Sequence, residues 1–69
     1  MNLAEAKEIK KALIDKELTM KWLWRRVIKR GFGTLHYTRF TEIMNGSYVG
    51  GYAPAVIEAA QEVLKDYEP

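Results

Sequence analysis

Apolar side chains return every three or four residues in four separate stretches of this chain, the period of a helix with one buried face. Leu3, Ala6, Ile9 and Leu13 mark the first stretch and predict an amphipathic helix over about residues 3–16. Asn2, three residues before Glu5, suits a capping pair at its start. Glu5, Lys7, Glu8, Lys11 and Asp15 fill the outward face, with Glu8 and Lys11 one turn apart. The run Lys16-Glu17-Leu18-Thr19 interrupts the pattern, and Thr19 can cap a second helix by accepting from an exposed backbone N–H. That helix is predicted over about residues 20–29, with Met20, Leu23 and Val27 inward and Trp24 and Ile28 beside them.

Gly31-Phe32-Gly33 ends the second helix, because glycine reaches left-handed conformations without a steric penalty, and residues 34–36 supply the next turn. Phe40, Ile43 and Met44 restore helical spacing in a short third helix over about residues 37–44, which Asn45-Gly46 stops. Residues 47–52 form a glycine-rich loop that carries Tyr48, Val49 and Tyr52. Pro54 suits a first helical position, and Ile57, Ala60, Leu64 and Tyr67 mark a fourth helix to about Asp66. The expectation is an all-α fold, a compact bundle of four to five short helices with little if any sheet, in one domain over residues 1–69.

Size and composition narrow the classes. A chain of 69 residues lies near the lower limit for stability by core burial alone, so either packing is efficient or an oligomer completes it. With 48% hydrophobic and 29% charged residues it reads as globular rather than disordered. The absence of cysteine excludes disulfides and thiolate metal sites. No run approaches the roughly 18 apolar residues that span a bilayer, and Glu5 and Glu8 stand where a signal peptide would be basic and then apolar. A soluble protein of a bacterial-type cytoplasm is expected.

Charge changes the picture more. Residues 19–41 hold Lys21, Arg25, Arg26, Lys29, Arg30 and Arg39 and no acid, with His36 as a further cation at low pH. Residues 1–18 balance four lysines against four acids, and residues 42–69 set five acids against Lys65. The net charge of +2 therefore hides a strongly polarised chain, which is what a phosphate backbone senses. Two short helices joined by a glycine-containing turn, held between a leading and a trailing amphipathic helix, suit DNA reading. The third helix would enter a major groove while the second spans the backbone, which makes a helix-turn-helix.

The segment from Leu18-Thr19-Met20-Lys21-Trp22-Leu23 to Phe40-Thr41-Glu42-Ile43-Met44-Asn45-Gly46 resembles the lambda repressor/Cro-like family of helix-turn-helix regulators, common in phages and other mobile elements. Leu18-Thr19 matches the family's cap, Leu23 its buried apolar residue, and the run ending in Asn45-Gly46 its close. The resemblance implies that Tyr37, Thr38 and Arg39, with Glu42 one turn on, face base edges, and that Asn45 meets a phosphate. This chain departs from the family at three points. Met20 stands where a phosphate-touching glutamine is usual, Trp24 stands where an alanine is usual, and the turn is about six residues longer. The indole and the longer turn are read as one adaptation, since a large ring at a helix crossing needs room.

Each assignment has a plainer alternative. Lys21, Arg25, Arg26, Lys29 and Arg30 suit a phosphate clamp, joined by Thr19 and His36, or else form a solvated helix face. Arg39 suits a bidentate contact to guanine, or a phosphate contact, or a salt bridge to Glu42. Tyr37 and Thr38 offer hydroxyls and an apolar edge to bases, or serve packing and capping. Trp22 and Trp24 lie on nearly opposite faces, so one packs while the other covers the long turn or meets a partner. Tyr48, Val49 and Tyr52 either close the core or make a dimer contact. Glu58, Glu62 and Asp66 form an acidic stripe that has no catalytic partner and reads as a solvated face, and Gly31-x-Gly33 lacks the lysine and strand of a phosphate loop.

The expected function is that of a sequence-specific double-stranded DNA-binding transcriptional regulator, a repressor acting by operator occupancy as a homodimer, with the acidic C-terminal helix as the dimer surface. No enzyme, cofactor or metal is expected. The alternatives are a helical protein-binding module, an antirepressor or adaptor working through Trp22, Trp24 and the aromatic loop on a regulatory protein partner, or an excisionase-like architectural DNA-binding factor.

Overall fold

The computed structural model describes residues 3–67, which form four α-helices and no strand: α1 (Leu3–Asp15), α2 (Met20–Ile28), α3 (Tyr37–Met44) and α4 (Ala53–Asp66). These bounds agree with the hydrophobic spacing to within a residue or two. The Asn2 cap and the side chain of Leu3 lie outside the described residues. The Cα radius of gyration is 10.8 Å, against about 11 Å for a compact chain of this length.

The helix ends have identifiable chemistry. Thr19 is extended, and its Oγ1 accepts from the Trp22 N–H at 3.1 Å, which caps α2 as expected. Asn45-Gly46 closes α3 in a Schellman motif: Gly46 takes a φ of 80°, the Ser47 N–H donates to the Glu42 carbonyl at 2.9 Å, and the Gly46 N–H donates to that of Ile43 at 3.2 Å. The same motif closes α1, where the Leu18 N–H donates to the Leu13 carbonyl at 2.8 Å and the Glu17 N–H to that of Ile14 at 3.1 Å. There the left-handed position is occupied by Glu17, with a φ of 58°, and no glycine marks it in the sequence. Pro54 lies in the first turn of α4.

α4 is the hub of the bundle and packs against each of the other three helices. Its buried residues are Ala53, Val56, Ile57, Ala59, Ala60, Val63 and Leu64, a stripe wide enough to serve three neighbours. Alanines at 59 and 60 let helices approach closely, while Phe40, Leu23, Ile43 and Met44 fill the volume between them. No polar or charged side chain is buried among the described residues. The outward face of α4 carries Glu58, Gln61, Glu62, Lys65 and Asp66, so a dimer contact on that face would be polar.

The long connection between α2 and α3, residues 29–36, is tied to the core at two points. Leu35, in the turn itself, is buried, and Phe32 packs against the core beside it. The Trp24 indole Nε1 donates to the Leu35 carbonyl at 2.9 Å, and its ring meets Tyr37 edge-on with centroids 5.5 Å apart. Trp24 thus covers the long turn. Trp22, on the other flank of α2, packs edge-on against Tyr67 with centroids 5.3 Å apart.

Candidate nucleic-acid interface

Residues four apart on a helix share a face, and α2 with the two residues that follow it, Lys29 at its C-cap and Arg30, sorts the basic residues by that rule into two stripes. Leu23 and Val27 are buried, so the opposite face carries Lys21, Arg25 and Lys29, all exposed. None of these three is ion-paired among the described residues, where the salt bridges use Arg30 and Arg39. The second stripe, Trp22, Arg26 and Arg30, turns toward the C-terminal half of α4. Arg26 stacks its guanidinium 5.1 Å from the Trp22 ring centroid. Arg30 pairs Nη1 with Glu62 Oε2 at 3.3 Å and Nη2 with Asp66 Oδ2 at 3.2 Å. The acidic stripe anticipated as a solvated face is thus, in part, the partner of one member of the basic cluster.

The cationic stripe is continuous with the start of α3, because Lys21 Nζ lies 6.0 Å from the Tyr37 ring centroid. His36 is the N-cap of α3, exposed and without a side-chain cap hydrogen bond. Phe40, Ile43 and Met44 turn inward, which leaves Thr38 exposed and Arg39, Thr41 and Glu42 half-exposed on the outer side. Thr41 Oγ1 donates back to the Thr38 carbonyl at 2.8 Å.

Arg39 is held from two directions. Its Nε donates to Glu42 Oε1 at 3.0 Å, and its guanidinium carbon lies 4.1 Å from the Tyr48 ring centroid. Desolvation opposes its charge, but the Glu42 hydrogen bond and the attraction of Tyr52, Glu42 and Tyr48 outweigh it, so its pKa stands above the ordinary guanidinium value. Tyr48 is positioned in turn by the loop. It meets Tyr52 with centroids 5.8 Å apart, and Gly51, with a φ of 56°, runs so close that a Cβ there would sit 3.3 Å from the Tyr48 hydroxyl.

The structure therefore brings Tyr37, Thr38, Arg39 and Glu42 together with His36 and Lys21, and continues the surface through Arg25 and Lys29. Thr19 sits at the start of α2 with its hydroxyl accepting from the Trp22 N–H. Asn45 lies at the far end of α3, exposed, where its Oδ1 accepts from Lys10 Nζ of α1. Lys10 and Tyr48 are the contributors that sequence reading missed. Lys10 looks like Lys7 and Lys11 until α1 packs beside α3, and a tyrosine after Asn-Gly-Ser gives no sign that it will lie beneath an arginine. Among the described residues no group of three or more His, Asp or Glu side chains could hold a metal ion, and no helix is long and apolar enough to cross a membrane. In comparisons with known proteins, the chain matches no family model, no curated protein and no solved structure.

Proposed function

We propose that this chain is a helix-turn-helix protein that binds double-stranded DNA and regulates transcription, acting as a repressor by occupying its operator in the cytoplasm. The observation that carries the reading is the union of two surfaces. One is an acid-free stripe of Lys21, Arg25 and Lys29, suited to phosphates; the other is the outer side of α3, where the cation Arg39 stands among Tyr37, Thr38 and Glu42. Phosphate contacts supply affinity and register, and base-edge contacts from α3 supply selectivity. Asn45 and Lys10 extend the backbone contacts at the far end of α3, and His36, the N-cap of α3, and Thr19, the N-cap of α2, are assigned to further phosphates.

One module of this size reaches too few base pairs to select a site within a genome, so the active form is a homodimer on a two-fold site. Selection of binding sites from random duplexes tests the proposal. Enrichment of a two-fold motif with half-sites about one helical turn apart supports both DNA reading and dimerisation. No enrichment overturns it and favours the protein-binding module, for which the exposed Ile14, Val49 and Tyr52 supply apolar contact surface.

A further inference from the structure

We infer that Glu42 is a positioning residue for Arg39 rather than a base contact of its own, and that Arg39, so held, imposes a guanine at one position of the bound site. The inference rests on the DNA-binding reading of α3 and assigns its specificity-determining pair.

The assignment turns on which guanidinium atoms are occupied. Glu42 Oε1 takes the Nε–H of Arg39 at 3.0 Å. Arg39 has no other hydrogen bond among the described residues, so the four N–H groups of Nη1 and Nη2 stay available. Those two nitrogens form the fork that matches O6 and N7 of guanine, an acceptor pair that no other base presents in the major groove. A free arginine would have to be immobilised on binding. Here the Nε hydrogen bond fixes one edge and the Tyr48 ring, 4.1 Å away, supports one face. The side chain remains 41% exposed, so the fork is reachable from solvent.

Glu42 as an independent reader would accept from cytosine N4, with a bare carboxylate held close to the phosphates. Pairing with Arg39 neutralises that carboxylate, which reconciles an acid with a face otherwise suited to polyanions. The spacing of three residues on α3 places the pair on one side of the helix, and the Gly51 turn holds Tyr48 beneath it.

The test is binding-site selection and competition binding with the full chain, comparing wild type, Arg39→Ala, Glu42→Ala, Glu42→Gln and the Arg39→Ala/Glu42→Ala double variant. A bidentate arginine–guanine contact discriminates by roughly 5- to 150-fold, so Arg39→Ala should abolish the preference at one position. Glu42→Ala should lower the preference at that same position by a larger factor than at any other position of the site. Glu42→Gln, which keeps an acceptor for Nε, should restore most of it, a rescue that loss of folding would not give. In the Arg39→Ala background, Glu42→Ala should have no further effect on the preference.

A preference that Glu42→Ala leaves intact, or a change at a different position that persists without Arg39, overturns the inference while leaving DNA binding in place. Wild-type chain that enriches no duplex overturns the DNA-binding reading and this inference with it.

Discussion

Arg25 and Arg30 lie on the same face-sorted segment five residues apart, yet replacing each with alanine should have opposite consequences. Arg25 is exposed and has no ion pair among the described residues, so Arg25→Ala removes charge without removing an internal contact. Surface changes of that kind stay within about 0.5 kcal/mol of wild-type stability. If Arg25 neutralises one phosphate in each copy, the slope of log affinity against log salt should become shallower by about 0.9 per copy, or about 1.8 for the dimer. Arg30 joins Glu62 at 3.3 Å and Asp66 at 3.2 Å, with side chains 38% to 68% exposed. Solvent screening at that exposure limits each pair to about 0.2–1 kcal/mol.

Arg30→Ala should therefore cost on the order of 1 kcal/mol, a fall of about 4–8 °C in Tm for a domain of this size. The difference from wild type should shrink in about 1 M salt as the pairs are screened. Thermal unfolding followed by circular dichroism reads the first quantity and fluorescence anisotropy on duplex DNA across a salt series reads the second. If Arg30→Ala flattens the salt slope as much as Arg25→Ala, or Arg25→Ala destabilises as much as Arg30→Ala, the division of the basic residues into two stripes is wrong.

Glu17→Gly should raise stability by about 1 kcal/mol, because a left-handed residue at a φ of 58° becomes a glycine; chemical denaturation should show a higher midpoint with an unchanged slope. Trp24→Phe should lower stability by about 1–3 kcal/mol, because it removes the donor to the Leu35 carbonyl and part of the ring packed on Tyr37. Amide hydrogen exchange should rise first in residues 29–36; exchange spread evenly over α1 and α4 would contradict the indole's role in fastening that turn.

The helices were legible because their ends carry local signals: Thr19 caps the backbone N–H groups just after it, Asn45-Gly46 stops α3 through its own backbone conformation, and Pro54 tolerates only the start of a helix. Glu17 was not legible as a left-handed residue, since nothing about glutamate announces that conformation. Leu35 gave no periodicity, being one apolar side chain in a turn, and its burial comes from the tertiary packing of that turn on the core. Within the candidate site, the spacing of four already separates Lys21, Arg25 and Lys29 from Arg26 and Arg30. Which stripe meets the acids of α4 is decided only by helix packing. The same holds for Tyr48 under Arg39 and Lys10 against Asn45, contacts between elements that lie apart along the chain.

DNA binding by α3 and the outer stripe of α2 is tested most directly by the affinity of the unmodified chain for a duplex measured between about 50 and 200 mM salt. The α2 stripe of Lys21, Arg25 and Lys29 contributes a slope of about −3 for one copy and about −5 for a dimer, a loss of roughly a thousandfold over that range for the dimer, and Lys10 adds about −1 for each copy. The Lys21→Ala/Arg25→Ala/Lys29→Ala variant should lose most of that slope. Affinity that is indifferent to salt and to those three substitutions would contradict nucleic-acid binding at this surface.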